Sequence, residues 1–182
     1  MTKAAQRFTI RLATEEDIPV LERLIAASVQ VLQATDYTAE QREAALGTVF
    51  GVDSSLVRDG TYYVVEHAGE VVGCGGWSRR RTLFGSDRNP GREDALLDPA
   101  QDAARIRAFF VNPGWERVGI GSLLMKTCET AAAGEGFTRL ELGSTLTGLG
   151  LYRAHGFVAD EEIEVSLENG LRLPIVKMSK RL

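Results

Sequence analysis

Between Ala104 and Lys126 an alternating apolar run, ARIRAFFV, meets the turn Asn112-Pro113-Gly114, and apolar residues then recur at helical spacing from Gly119-Ile120-Gly121 onward. The start of a helix leaves backbone N–H groups without partners and carries the positive end of the helix dipole. It is therefore a place that can hold a phosphate. Gly119 and Gly121 remove side chains where such an anion must come close, and Arg117 can add a charge-assisted contact. A Gly-x-Gly also serves simply to ease a strand-to-helix turn, so the loop must be read in context.

The elements that would position this loop follow from periodicity. FTIRLA (8–13) alternates as a strand, and Thr14 with Asp17 three residues on marks a helix start. Ile18, Leu21, Leu24, Ile25, Val29 and Leu32 then share one helical face, with Pro19 tolerated in the first turn and an end near Ala34. Thr38 with Gln41 opens a second short helix, expected through about Phe50, and 52–59 a further helical turn or two. TYYVVE (61–66) and EVVGCGGW (70–77) form a hairpin whose glycines mark a bend or close backbone approach. The stretch 78–102 breaks pattern with Gly85, Pro90, Gly91 and Pro99 among many charges, so it is expected as a long loop or insertion outside the core. After the strand 104–111, the helix from Gly119 ends around 134–136, TRLELG (138–143) is a strand, about 147–155 a short helix, and FVADEEIEV with LRLPIVKMSK a closing hairpin. The order is β-α-α-β-β-β-α-β-α-β-β, without an internal repeat.

VNPGWERVGIGSLLMK (111–126), followed by LYRAHGF (151–157), resembles the GNAT (GCN5-related) N-acetyltransferase superfamily, and the likeness spans nearly the whole chain. In that family a strand ends in V-x-P, a loop Q/R-x-x-G-x-G/A cradles the pyrophosphate of CoA, and Y-x-x-x-G-F follows on a later helix. Here the Q/R position falls on Glu116, the arginine is displaced to Arg117, and position 118 is Val. The resemblance therefore implies pyrophosphate binding mainly by backbone N–H groups, along Arg117, Val118, Gly119, Ile120, Gly121 and Ser122. It implies an α/β fold of the α+β layered kind, with a mixed, mostly antiparallel sheet flanked by helices, as one domain over 1–182. It also implies that Phe109, Phe110 and Val111 lie where their strand splays from its parallel neighbour 138–143, offering unpaired backbone amides to pantetheine. Tyr152 matches the family tyrosine that protonates the departing CoA thiolate. A phenol with an ordinary pKa near 10 holds its proton until a thiolate, near 8.5, develops beside it. The simpler alternative is a helix tyrosine that packs against Phe157.

The implied activity is transfer of acetyl from acetyl-CoA, as cosubstrate, to the amine of a small molecule or peptide by direct attack in a ternary complex. Glu116 leaves open a different class of function, a catalytically silent acyl-CoA-binding sensor or interaction module. A general base is poorly marked, because Glu66, Asp36 and Glu141 each read more simply as solvated charges. Arg79, Arg80 and Arg81 could grip an acceptor anion, or be a solvated loop. His67 and His155 have no nearby ligand pattern, so no metal site is expected, and His155 reads as structural or surface. Leu124 stands where a dinucleotide fingerprint needs its third glycine, and Leu146 where a nucleophile elbow needs its last.

Composition agrees with a packed domain: 182 residues, 44% hydrophobic and 25% charged. A net charge of −4 gives no general attraction to nucleic acid or anionic lipid. No apolar run approaches the ~20 residues that cross a bilayer, and Met1 to Ile10 lacks a signal-peptide core, so a cytoplasmic location is expected. Cys74 and Cys128 stand alone in apolar stretches and read as buried thiols. A homodimer is an allowed assembly that no motif specifies.

Overall fold

The first alternating run becomes β1, Thr9–Leu12. Thr14 and Asp17 then close a 3-10 turn, the Thr14 N–H donating to Asp17 Oδ2 at 2.8 Å, and α1 follows over Ile18–Leu32 with Leu21, Leu24, Ile25 and Val29 buried. The computed structural model describes residues 7–182; the first six, counted in the single domain read from the sequence, lie outside the described residues. Thr38 and Gln41 exchange reciprocal hydrogen bonds at 3.1 and 2.9 Å and open α2, Ala39–Ala45. This helix stops short of the expected Phe50. Gly47, at φ +90°, turns the chain back so that the Phe50 N–H donates to Ala45 O. Asp53 caps α3, Ser54–Arg58, by accepting from the Ser55 N–H at 3.0 Å.

The remaining strands are β2 (Tyr62–His67), β3 (Glu70–Ser78), β4 (Ala104–Val111), β5 (Arg139–Thr145), β6 (Val158–Ser166) and β7 (Arg172–Arg181). With α4 (Ile120–Gly134) and α5 (Leu149–Ala154) between them, the order is the expected one. Among the described residues, seven strands lie in one sheet, β1-β2-β3-β4-β5-β7-β6, in which β4 and β5 are the one parallel pair. Alternate residues of each strand serve opposite faces. On one face Leu21, Ile25 and Leu56 pack against Val64, Cys74 and Phe110. On the other, Met125 and Cys128 of α4 and Tyr152 of α5 pack against Trp77, Leu140 and Leu142. Both cysteines are buried thiols.

The segment between β3 and β4 contains no helix or strand, as its glycines and prolines require, but it is not free of the core. Thr82, Ser86 and Leu97 are buried. The two limbs bond to each other, Thr82 N–H to Glu93 O at 3.0 Å and Leu97 N–H to Arg79 O at 2.7 Å. Its tip bonds to the stretch before α3, Ser86 N–H to Thr48 O at 2.8 Å. The clamp is Arg107 of β4, only 2% exposed, which donates to Gly85 O at 2.7 Å and pairs with Asp53 at 2.9 Å. Arg92, from within the segment, reaches the same carboxylate at 3.0 Å. The expectation of an unpacked insertion is therefore corrected: Arg107 sits among apolar strand residues and looks like an outward charge, yet it anchors the segment inward.

Burial alone would raise the Asp53 carboxyl, but the charge of Arg107, the Ser55 hydrogen bond and Arg92 outweigh it and hold the group below its ordinary value. A depressed folded-state value means that the stabilisation is complete at neutral pH and is lost only as pH falls below the ordinary carboxylate range, through that depressed value. Asp53→Ala strands a buried guanidinium and should cost about 3–5 kcal/mol in urea unfolding at pH 7, with the segment 79–103 becoming the first site of limited proteolysis. Unchanged stability and cleavage would show that the pair does not hold the segment.

Candidate functional site

β4 and β5 are in register only where Ala104 faces Leu140 and Arg105 faces Glu141. Beyond these positions the strands part, and the β5-facing edge of β4 has no strand to bond. The divergence begins at a bulge: Arg107 opposes Gly76 and Phe110 opposes Cys74, so Ala108 and Phe109 share the one partner Gly75. Ala108 takes φ +53°, a left-handed conformation that costs a non-glycine residue about 1–2 kcal/mol. The Tyr62 hydroxyl donates to the Ala108 carbonyl at 2.8 Å and helps hold the bulge. The hairpin glycines supply the close approach that the sequence marks. A Cβ on Gly75 would strike the Phe109 ring, and one on Gly73 would stand 2.5 Å from Ile120 Cγ2.

A groove of about 670 Å³ runs from the start of α4 into this gap, lined by Trp115, Glu116, Arg117, Gly119, Ile120, Gly121 and Ser122. The first bond of the α4 ladder is Leu123 N–H to Gly119 O, so the N–H groups of Ile120, Gly121 and Ser122 have no partner within the helix. Gly119 has φ +97°, and a Cβ there would meet nothing within 4 Å, so glycine is required for conformation and the space beside it is open. Gly121 is required for packing, since a Cβ would lie 2.8 Å from Leu151 Cδ2 of α5. Arg117 is exposed at φ +60°. Val118 packs instead into the small cluster of Val65, Val72, Ile120 and Leu124. Glu116 accepts from the Gly114 N–H at 2.6 Å, which ties its carboxylate into the turn. Ser122 Oγ lies 2.9 Å from His155 Nε2, so His155 braces the helix start from α5.

Phe109, Phe110 and Val111 line both this groove and a second cavity of about 140 Å³ behind it. That chamber is walled by Phe50, Leu83, Phe84, Ile106 and Ile175, so the segment 79–103 forms part of its wall. Tyr152 lines the chamber with its ring 6.2 Å from that of Phe109 and edge-on to Phe157 at 5.9 Å. The tyrosine thus packs against Phe157 and also presents a face to the cavity. Burial, with a smaller contribution from Cys128, pushes its phenol well above the ordinary value.

The carboxylates considered as bases lie elsewhere. Glu66 pairs with Arg11 at 2.9 Å, Glu141 with Arg105, and Asp36 accepts from Thr147 Oγ1 at 2.7 Å. None lines either cavity. Arg79 pairs with Glu135 at 2.6 Å and Arg80 with Asp59 at 2.7 Å, and Arg79, Arg80 and Arg81 are all absent from the lining. Gln33, at the end of α1, and the Asp53–Arg107 pair were not legible as site residues. A glutamine ending an amphipathic helix carries no motif, and the pair spans more than 50 positions.

The GNAT acetyltransferase family model matches residues 26–157, well over half the chain. The chain belongs to the GNAT acetyltransferase family. Its fold is that of solved GNAT structures. A GCN5-related N-acetyltransferase from Rhodopseudomonas palustris superposes with a TM-score of 0.70 at 22% identity, over 100% of this chain and 99% of that one. PaiA N-acetyltransferase from Thermoplasma acidophilum, solved in complex with coenzyme A, gives 0.66 at 13% identity over 97% and 99%. YncA of Salmonella typhimurium, a putative acetyltransferase solved with acetyl-CoA, gives 0.62 at 17% identity over 97% and 94%. No curated protein sequence matches this GNAT chain. Among the described residues no group of His, Cys, Asp and Glu side chains could hold a metal ion, and no helix is long and apolar enough to cross a membrane.

The two glycines of this GNAT loop should respond differently to alanine. Gly119→Ala forces a side chain into a left-handed conformation and should lower stability by about 1–2 kcal/mol. Gly121→Ala acts by displacing Leu151, so Leu151→Ala in the same chain should rescue it and should not rescue Gly119→Ala. Equal rescue of both in urea unfolding would refute these separate roles.

Proposed function

We propose that this protein is an acetyl-CoA-dependent N-acetyltransferase that acts by direct transfer in a ternary complex. The observation that carries the reading is the continuity of the groove at the α4 start with the chamber containing Tyr152, across the gap where β4 and β5 part. The unpartnered N–H groups of Ile120 to Ser122, with Arg117 beside them, suit a pyrophosphate. The open edge of β4 at Phe109 to Val111 suits the amides of pantetheine, which would complete the strand as a β5 partner would. The thioester then reaches the chamber.

There the acceptor nitrogen attacks the thioester carbon, the carbon–sulfur bond breaks, and the Tyr152 hydroxyl gives its proton to the leaving thiolate. The proton released by the attacking nitrogen restores the phenol, directly or through water, so the cycle balances. No side-chain carboxylate takes part. A silent acyl-CoA-binding module is the weaker reading, because Glu116, the residue that suggested it, is engaged by the Gly114 N–H. In calorimetric titration, Glu116→Ala should bind CoA as tightly as the parent or more tightly; weakened binding would mean that the carboxylate organises the site.

Tyr152→Phe keeps the ring contacts with Phe109 and Phe157 and deletes the acid alone. CoA affinity should be unchanged, and the single-turnover rate of acetyl transfer should fall by about 100-fold or more. Because burial raises the phenol, the parent should show no loss of rate from Tyr152 ionisation between pH 7 and about 10. A phenylalanine variant that transfers acetyl at the parent rate would leave Tyr152 only a packing role.

A further inference from the structure

The chamber also says which amine it can take. Arg107 and Tyr152 are the only titratable side chains lining it among the described residues. The Arg107 guanidinium is engaged by Asp53 at 2.9 Å and Gly85 O at 2.7 Å and is 2% exposed. With the Arg107 charge already paired by Asp53, no free counter-ion lines the chamber for a carboxylate or phosphate, and no acidic side chain there can pair with a second ammonium; an unpaired charge in such surroundings is strongly disfavoured. Nothing there can take a proton from an ammonium either. An alkylamine as basic as lysine is neutral in only about one molecule in 2,500 at pH 7. A volume of about 140 Å³ walled by Phe50, Leu83, Phe84 and Ile175 is close to that of apolar cavities that hold one benzene ring.

Of the described side chains with a buried polar atom left unpartnered, Gln33 is the one that lines the chamber. Gln33 is 5% exposed, and its side-chain amide makes no hydrogen bond among the described residues, Oε1 being buried without a partner. It lines both cavities, at the junction through which the thioester must enter. A buried amide oxygen without a donor is a standing cost that a ligand N–H can remove.

Resting on the transferase reading, we propose that the acceptor is a weakly basic amine, uncharged at neutral pH, on an apolar body of about one aromatic ring, and that Gln33 accepts a hydrogen bond from its nitrogen. A neutral primary amine has two N–H groups and a lone pair. One N–H bonds Gln33 and orients the nitrogen, the lone pair attacks the thioester, and no base is needed before the attack.

The test follows thiol release from acetyl-CoA by the whole protein with aniline, 4-methylaniline, cyclohexylamine, spermidine, glutamate and a short peptide. The anilines should exceed cyclohexylamine, which has the same number of ring carbons but is protonated, by about 100-fold or more in kcat/KM at pH 7, with a flat profile from pH 6 to 9. Gln33→Leu should raise KM for aniline by about 10-fold with acetyl-CoA affinity within about twofold, and Gln33→Glu should shift preference toward cyclohexylamine by supplying a proton acceptor. Preference for spermidine, glutamate or peptide would overturn the proposal and leave the transferase reading intact. So would a Gln33→Leu variant that loses acetyl-CoA affinity and keeps its KM for aniline. Binding of acetyl-CoA with transfer to no amine would overturn the transferase reading, and this proposal with it.

Discussion

Backbone hydrogen bonds between β4 and β5 stop after two residue pairs, and the rest of the site is arranged around that interruption. A parallel pair inside a sheet ordinarily satisfies its N–H and C=O groups along its whole length, and leaving them open in the interior is costly. The protein tolerates the opening because the strands are secured on their outer sides. β4 pairs with β3 from Arg105 to Val111, and β5 pairs with β7 from Arg139 to Thr145. The bulge at Ala108 turns the end of β4 away, and Gly73 and Gly75 let Ile120 and Phe109 settle onto β3. The cleft is thus bounded by two well-paired ribbons, which makes it a fixed feature of the fold.

A second constraint ties β4 to the elements outside the sheet. Asp53 caps α3 and also receives Arg107 from β4 and Arg92 from the segment 79–103. One carboxylate therefore couples the α3 start, the central strand and a chamber wall that includes Leu83 and Phe84. A buried pair of this kind adds little over well-packed apolar residues, but a half-broken one is expensive. Its contribution here is positional, because a segment with no ladder of its own is held against β4 by a charge that has nowhere else to go. Within the core cluster that also holds Leu56 of α3, the Tyr37 hydroxyl donates to Pro174 O at 2.6 Å and accepts from the Leu146 N–H at 2.9 Å, fixing the loop after β5.

Much of this was legible because it rests on local signals. Helical spacing gave α1 and α4, reciprocal Thr–Gln capping gave the start of α2, period-two alternation gave β1 and β4, and β-rich runs gave the β2–β3 hairpin. The glycine loop at 119–121 was legible as a helix start, and Tyr152 only as a match to the family motif in LYRAHGF. The end of α2 was missed because Gly47 acts through one backbone torsion that composition does not weigh. The packing of the segment 79–103 was missed because it depends on Arg107 finding Asp53, a pairing that no sequence period encodes. Gln33 was invisible for a related reason: its significance is the absence of a partner, and absence is a property of the folded surroundings.

Burial of Tyr152 affects both sides of the proposed proton transfer. An apolar chamber raises the phenol, which by itself makes it a weaker acid. The same surroundings penalise a free thiolate, so the pKa of the leaving group rises with that of the donor and the difference that drives transfer is retained. In water a thiolate can depart as an anion with solvent around it. Between Phe109, Leu151 and Ile106 it has no such shell, and departure without a proton becomes the costlier path. On the proposed mechanism, the apolar lining that disfavours charged acceptors is also what would make an acid necessary, and a phenol raised by burial would keep that acid protonated near neutrality.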